Sequence, residues 1–136
     1  VSGTTRATRY GRVKDYLARV EEETAVLLQV ETQAALDAAE DIAAVDGVDG
    51  IFFGPADIGA DMGLLGNPMH PDIWARIRPV AKALMARGMP VGTLVTDPGF
   101  AAELMDEGFT FVACGLDTGL LARASDKLLA DVKAHM

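Results

Sequence analysis

Residues 26–57 read VLLQVETQAALDAAEDIAAVDGVDGIFFGPAD, two short apolar runs separated by a helix-length amphipathic segment. The first run closes on Gln29 and Glu31. The second, Ile51–Phe53, is followed across a Gly-Pro-Ala turn by Asp57. Strand, helix and strand in that order make a parallel pair, and the carboxyl ends of neighbouring parallel strands face one crevice, where ligands bind. Two carboxylates delivered there form a hard, oxygen-rich corner suited to Mg²⁺ or Mn²⁺. The stretch therefore predicts an α/β fold with a divalent-metal site at its strand ends.

Outward from this unit the pattern repeats. Upstream, residues 1–11 (VSGTTRATRYG) are small, polar and aperiodic, a loop in which Arg6 and Arg9, with Arg12 just beyond, offer an anion contact. Val13, Tyr16, Leu17 and Val20 then predict an amphipathic helix over 12–23. The strand over 24–30 alternates, with Leu27, Gln29 and Glu31 on one face and Val26, Leu28 and Val30 on the other. Thr32 is placed to cap a helix over 33–45. Downstream, Gly54–Pro71 is Gly-rich and reads as a mouth loop. Pro71 opens a helix to about Arg87, with a kink or break expected at Pro79. Val91–Val95 is a third strand, Asp97-Pro98 starts a helix to Glu107, and Phe109–Cys114 is a fourth strand. A final helix, capped by Asp117 or Thr118, carries Leu120, Leu121, Leu128, Leu129 and Val132.

A helix followed by four β–α units can belong to an open doubly wound sheet or to a (β/α)8 barrel. No Gly-x-Gly-x-x-Gly marks a strand–helix turn, and polar residues gather at strand ends, both of which favour the barrel. A full barrel takes about 250 residues, whereas this chain has 136. The expectation is one partial domain over 1–136, the C-terminal half of a (β/α)8 TIM barrel with four parallel strands and covering helices. The first residue is Val, which points to missing upstream sequence.

With a formal charge of −8, the chain is a poor partner for nucleic acid, whose binding rests on Lys and Arg. A single cysteine, Cys114, excludes an internal disulfide framework and fits a reducing compartment. No apolar run approaches the roughly 18 residues of a membrane span, and no basic-then-apolar leader opens the chain. A cytoplasmic protein without membrane partners is expected. Cys114 reads as a small buried hydrophobe, His70 as a loop or capping residue, His135 as part of a fraying tail, and Trp74, Met85, Met105 and Phe111 as core or interface.

At VLLQVET, DGVDGIFFGPADIGADMG, GNPMHP and FVACGLDTGLLARA the chain closely resembles the HpcH/HpaI aldolase family, from TTRATRYG to the last helix. The pairing of QVET with GPAD at this distance is the specific part. The resemblance implies a divalent-metal-dependent (class II) aldolase that cleaves or forms 4-hydroxy-2-oxoacids from pyruvate and an aldehyde through a metal-stabilised enolate. It implies Glu31 and Asp57 as ligands of Mg²⁺, Mn²⁺ or Co²⁺, Gln29 as the partner of the substrate's oxo group, and Ala56 and Asp57 as holders of pyruvate through backbone N–H groups. Metal chemistry of this kind needs no Schiff-base lysine, and Lys14, Lys82, Lys127 and Lys133 lie outside the strand ends. The family's catalytic His and Arg come from earlier strands, so no catalytic residue is assigned in this chain. His70 matches the GNPxHP loop instead. The resemblance also implies a homo-oligomer, dimers assembling into a hexamer by exchange of the last helix. Two alternatives stand beside it: a CoA-thioester lyase of the citrate lyase β-subunit type, which would want a basic surface, and a non-catalytic oligomerising half-barrel.

Overall fold

A computed structural model describes residues 3–136; Val1 and Ser2 of the expected loop lie outside the described residues. The chain runs α1 (Tyr16–Arg19), β1 (Leu27–Val30), α2 (Gln33–Asp37), α3 (Ala39–Ala43), β2 (Gly50–Phe53), α4 (Pro55–Asp61), α5 (Pro71–Ala86), β3 (Val91–Val95), α6 (Pro98–Asp106), β4 (Phe111–Cys114) and α7 (Asp117–Ala134). The four strands form one parallel sheet in the order β1-β2-β3-β4. Both outer strands are edges.

Register decides which side chains share a face. Gln29 pairs with Phe52, Phe52 with Gly92, and Gly92 with Phe111, so these residues and their i±2 neighbours point one way. The opposite face carries Val30, Ile51, Phe53, Val91 and Val95, all buried against α2–α6. Ile73, Trp74, Ile77, Ala81 and Leu84 of α5 supply the largest share of that layer. Thr93 is fully buried within it, and its hydroxyl donates to the Phe53 carbonyl at 3.0 Å, so no polar group is stranded. The first face is open: Leu27 and Phe111 are 50% and 53% exposed. A sheet covered on one side and apolar on the other is what an opened barrel presents.

Local signals explain the element ends. The Thr32 hydroxyl accepts from the Ala35 N–H at 3.1 Å and the Asp97 carboxylate from the Phe100 N–H at 2.7 Å, both as N-caps. His70 caps α5 through Nδ1, which accepts from Asp72 N–H at 3.2 Å.

Several expectations are corrected. The helix over 12–23 is a single turn with no buried residue, because its apolar stripe is only partly covered and so short a helix is marginal in water. The helix over 33–45 is two short helices meeting at Ala38. Within Gly54–Pro71, expected to be loop, residues 55–61 are helical, started by Pro55 and anchored by buried Ile58. Helix α5 runs through Pro79 without a break; Pro79 faces solvent, where the carbonyl it cannot satisfy meets water. Helix α7 is N-capped by Leu116 without a side-chain bond, the Asp117 carboxylate instead accepting from the Thr118 N–H at 2.7 Å. Cys114 is exposed, because it ends an edge strand that α7 leaves uncovered. Trp74 is buried and Met85 packs on the core, but Met105 and Phe111 are exposed.

Candidate metal and substrate site

The carboxyl end of β1 and the first turn of α4 build one corner. Strand β1 points Gln29 toward the open face. The next residue on that side, Glu31, is half-buried where the chain leaves the sheet. Strand β2 ends at Phe53, and Gly54-Pro55 turns the chain so that Ala56 and Asp57 open α4 beside it. Gln29, Ala56 and Asp57 line one cavity of about 210 Å³, together with Phe52, Gly54, Pro55, Pro68, Met69, Leu94, Val95 and Thr96. Glu31 stands at its rim. Its Oε1 accepts from Gln29 Nε2 at 2.7 Å, and its Cγ lies where a side chain on Gly54 would be. Gln29, Ala56 and Asp57 thus share one cavity, and Glu31 adjoins it through its contacts with Gln29 and Gly54.

The donor set fits a hard divalent cation. It consists of two carboxylates, both oxygen donors, and Mg²⁺-type ions are commonly held by one or two carboxylates with water and substrate completing the shell. The bare face of Gly54 lets the Glu31 side chain lie against the turn that opens α4: a Cβ there would sit 2.9 Å from Glu31 Cγ and 3.2 Å from its Oε1. Among the described residues no group of three or more His, Cys, Asp or Glu is placed to hold a metal ion.

The remaining walls are largely apolar. Phe52, Leu94 and Val95 come from the strands, Pro68 and Met69 from the GNPMHP loop. Leu94 and Val95 end β3, the strand expected over Val91–Val95. Thr96, Met69 and Phe52 were missed. Strict alternation along GIFF would have put Phe52 on the same face as Gln29, but only the register pairs the two. His70 serves α5, with its ring 3.7 Å from the Asp72 carboxylate. The Arg6–Arg12 segment is organised around Thr8, whose hydroxyl donates to the carbonyls of Gly3 and Thr5, both at 2.9 Å. Arg6, Arg9 and Arg12 are all exposed.

Comparison with known proteins follows the same residues. The family model described as HpcH/HpaI aldolase/citrate lyase matches residues 3–124. A pyruvate aldolase of Rhizobium etli is 48% identical over 130 residues, covering 96% of this chain and 51% of that protein. A hydroxypyruvate/pyruvate aldolase of Cupriavidus necator is 43% identical over 132 residues, covering 97% and 49%. The crystal structure of an HpcH/HpaI aldolase/citrate lyase family protein from Burkholderia cenocepacia J2315 superposes with a TM-score of 0.85 at 35% identity, over 98% of this chain and 52% of that one. The chain spans about half the length of the curated relatives it matches.

Proposed function

The chain belongs to the HpcH/HpaI aldolase/citrate lyase family, and from that premise we propose that it carries the metal- and pyruvate-binding half of a divalent-metal-dependent pyruvate aldolase. The domain would be the C-terminal half of a (β/α)8 barrel, its open sheet face turned toward the other four strands. The observation that carries the proposal is the meeting of the QVET strand end and the GPAD helix start on one cavity.

In this reading Glu31 and Asp57 hold Mg²⁺, Mn²⁺ or Co²⁺. When bound, the cation supplies Lewis acidity that stabilises the enolate charge developing as the carbon–carbon bond breaks. Gln29 meets the oxo group of the 2-oxoacid. Ala56 and Asp57, exposed in the first turn of α4, hold its carboxylate through N–H groups that have no intrahelical partner; the match to the family's GPAD motif supports this. Phe52 and Leu94 keep water from the carbon that becomes nucleophilic. Proton transfer is assigned to none of these residues and falls to the other half of the barrel.

Assembly is part of the same proposal. None of the residues of α7 is buried, which supports a helix that covers a second copy in a dimer-based hexamer. The same observation favours the rival reading, a non-catalytic oligomerising half-barrel. No helix among the described residues is long and apolar enough to cross a membrane; a reducing cytoplasm is proposed from exposed, unpaired Cys114.

The test is pyruvate release from a 4-hydroxy-2-oxoacid by the full-length protein, with Mn²⁺ and with chelator. Turnover that chelator abolishes, and that Glu31→Ala and Asp57→Ala each remove, is the expected result. Self-association without metal-dependent turnover would establish the rival reading.

A further inference from the structure

We infer that Asp61 is a positioning residue for the metal site: clasped to Gln33, it fixes how Asp57 stands against Glu31 and thereby sets the affinity for a divalent cation. The inference rests on the metal reading above and concerns residues outside that donor set.

Two segments carry the ligands, 30–33 and 54–61, and they are tied at both ends. At one end the Gly54 N–H donates to the Val30 carbonyl at 2.9 Å, and Gly54 abuts Glu31. At the other, the Gln33 backbone N–H donates to Oδ2 of Asp61 at 2.8 Å, while Gln33 Nε2 donates to the Asp61 carbonyl at 3.2 Å. Asp57 and Asp61 are four apart on α4 and lie one above the other on its surface. Gln33 is two residues beyond Glu31. Rolling α4 about its axis would swing Asp57 away from Glu31 and would break the clasp in the same movement.

Helix α4 has 7 residues, too few to hold an orientation by itself. Its inner side is fixed where Gly59 lets Ile73 approach; a Cβ at 59 would lie 2.6 Å from Ile73 Cδ1. Packing of that kind limits distance more than rotation. The Asp61–Gln33 pair supplies the rotational stop on the outer, exposed side. Both of its bonds engage groups at the start of α2, so Asp61 is committed there although it is acidic and one turn from Asp57.

A merely structural cap would change thermal stability and leave cation binding alone, so Mn²⁺ affinity is the discriminating readout. In the full-length protein, Mn²⁺ titration followed by electron paramagnetic resonance compares wild type, Asp61→Ala, Asp61→Asn and Arg87→Gln. Asp61→Ala is expected to weaken Mn²⁺ binding about tenfold, within the range for groups that orient metal ligands. Asp61→Asn keeps an oxygen for the Gln33 N–H and should stay within about twofold of wild type. Arg87→Gln removes an ion pair to Glu40, 2.6 Å long and distant from the site, and should leave Mn²⁺ affinity unchanged. Should Asp61→Ala not fold, Gln33→Ala deletes one bond of the clasp and is expected to weaken Mn²⁺ about threefold. Wild-type affinity in Asp61→Ala, or in Gln33→Ala where that variant stands in, overturns the inference alone. A wild type that shows no saturable Mn²⁺ binding overturns the metal reading and the inference with it.

Discussion

The amide of Gln29 donates to Oε1 of Glu31 at 2.7 Å, so the side chain proposed to meet substrate also steadies the side chain proposed to hold the metal. The two lie two residues apart at the end of one strand, on the same face. Gln29→Ala is therefore expected to act on both quantities. Mn²⁺ affinity should fall about tenfold, and KM for the oxoacid should rise with it. Mn²⁺ titration beside steady-state kinetics checks this; an unchanged Mn²⁺ affinity would confine Gln29 to the substrate.

Gly54 has φ −100°, a conformation open to any residue, so its identity is a matter of room. A Cβ there would lie 2.9 Å from Glu31 Cγ. The obstructed atom belongs to a flexible side chain, and Glu31 can swing aside. Gly54→Ala should thus leave stability within about 1 kcal/mol of wild type while lowering Mn²⁺ affinity about tenfold or more. Calorimetry and Mn²⁺ titration on the same sample separate the two effects. A large loss of stability with intact affinity would contradict the displacement of Glu31.

Pro79 lies within α5 on its solvent side. It deprives the Ala75 carbonyl of its helical donor and strains the turn before it. Pro79→Ala restores that bond, against a smaller loss of rigidity in the unfolded chain. The net expectation is a gain of about 1–2 kcal/mol, read as a higher Tm in thermal denaturation. A lower Tm would mean that the proline supports packing along the groove it lines with Trp74 and Phe100.

Arg78 sits 5.4 Å from the centroid of the Phe100 ring and 2.7 Å from Glu107, with Glu103 as a second partner. Burial lowers its pKa, but hydrogen bonds and charge from Glu107 and Glu103 outweigh burial and hold it above the ordinary arginine value. A raised pKa stabilises fully below the unfolded value and is lost only as pH climbs through the folded one. Both lie beyond the working alkaline range. The side chain is 37% exposed, so solvent screening discounts the pair; Arg78→Ala should cost about 1 kcal/mol. That difference from wild type should hold constant from about pH 7 to pH 10. Urea denaturation at both ends of the range is the check, and a difference that shrinks at the upper end counts against it.

Leu121 and Leu128 are 70% and 65% exposed on α7 and lie seven residues apart, on one stripe. If the stripe covers a second copy, Leu121→Glu with Leu128→Glu should leave the stability of one chain within about 0.5 kcal/mol and shift the protein to smaller species. Light scattering after size-exclusion chromatography reads the mass directly. An unchanged oligomer would assign this helix to its own barrel.

Much of this arrangement was legible in order along the chain. Apolar runs closed by QVET and GPAD mark two strand ends, and Val91–Val95 emerges with the bounds read from its residues. Thr32 and Asp97 cap the helices that their spacing predicts. These features rest on local forces, alternation along a strand and a hydroxyl or carboxylate within reach of an N–H three residues on. The same locality makes Gln29 and Glu31 readable as a pair.

What the residues near each position could not decide is which surfaces find a partner. Val13, Tyr16, Leu17 and Val20 have the spacing of a helix but are at most partly covered, and α1 shrinks to one turn. Residues 55–61 lack an amphipathic period long enough to recognise, yet they are helical because Ile58 reaches the core and Gly59 admits Ile73. Cys114 has the sequence of a buried strand and is exposed at a sheet edge. The Asp61–Gln33 clasp joins residues 28 apart in sequence. The sequence by itself determined which chemical groups arrive at the strand ends, because that depends on periods of two to four residues. Their mutual placement was decided only by the tertiary structure, because burial and the pairing of distant polar groups depend on surfaces that exist once the chain has closed on itself.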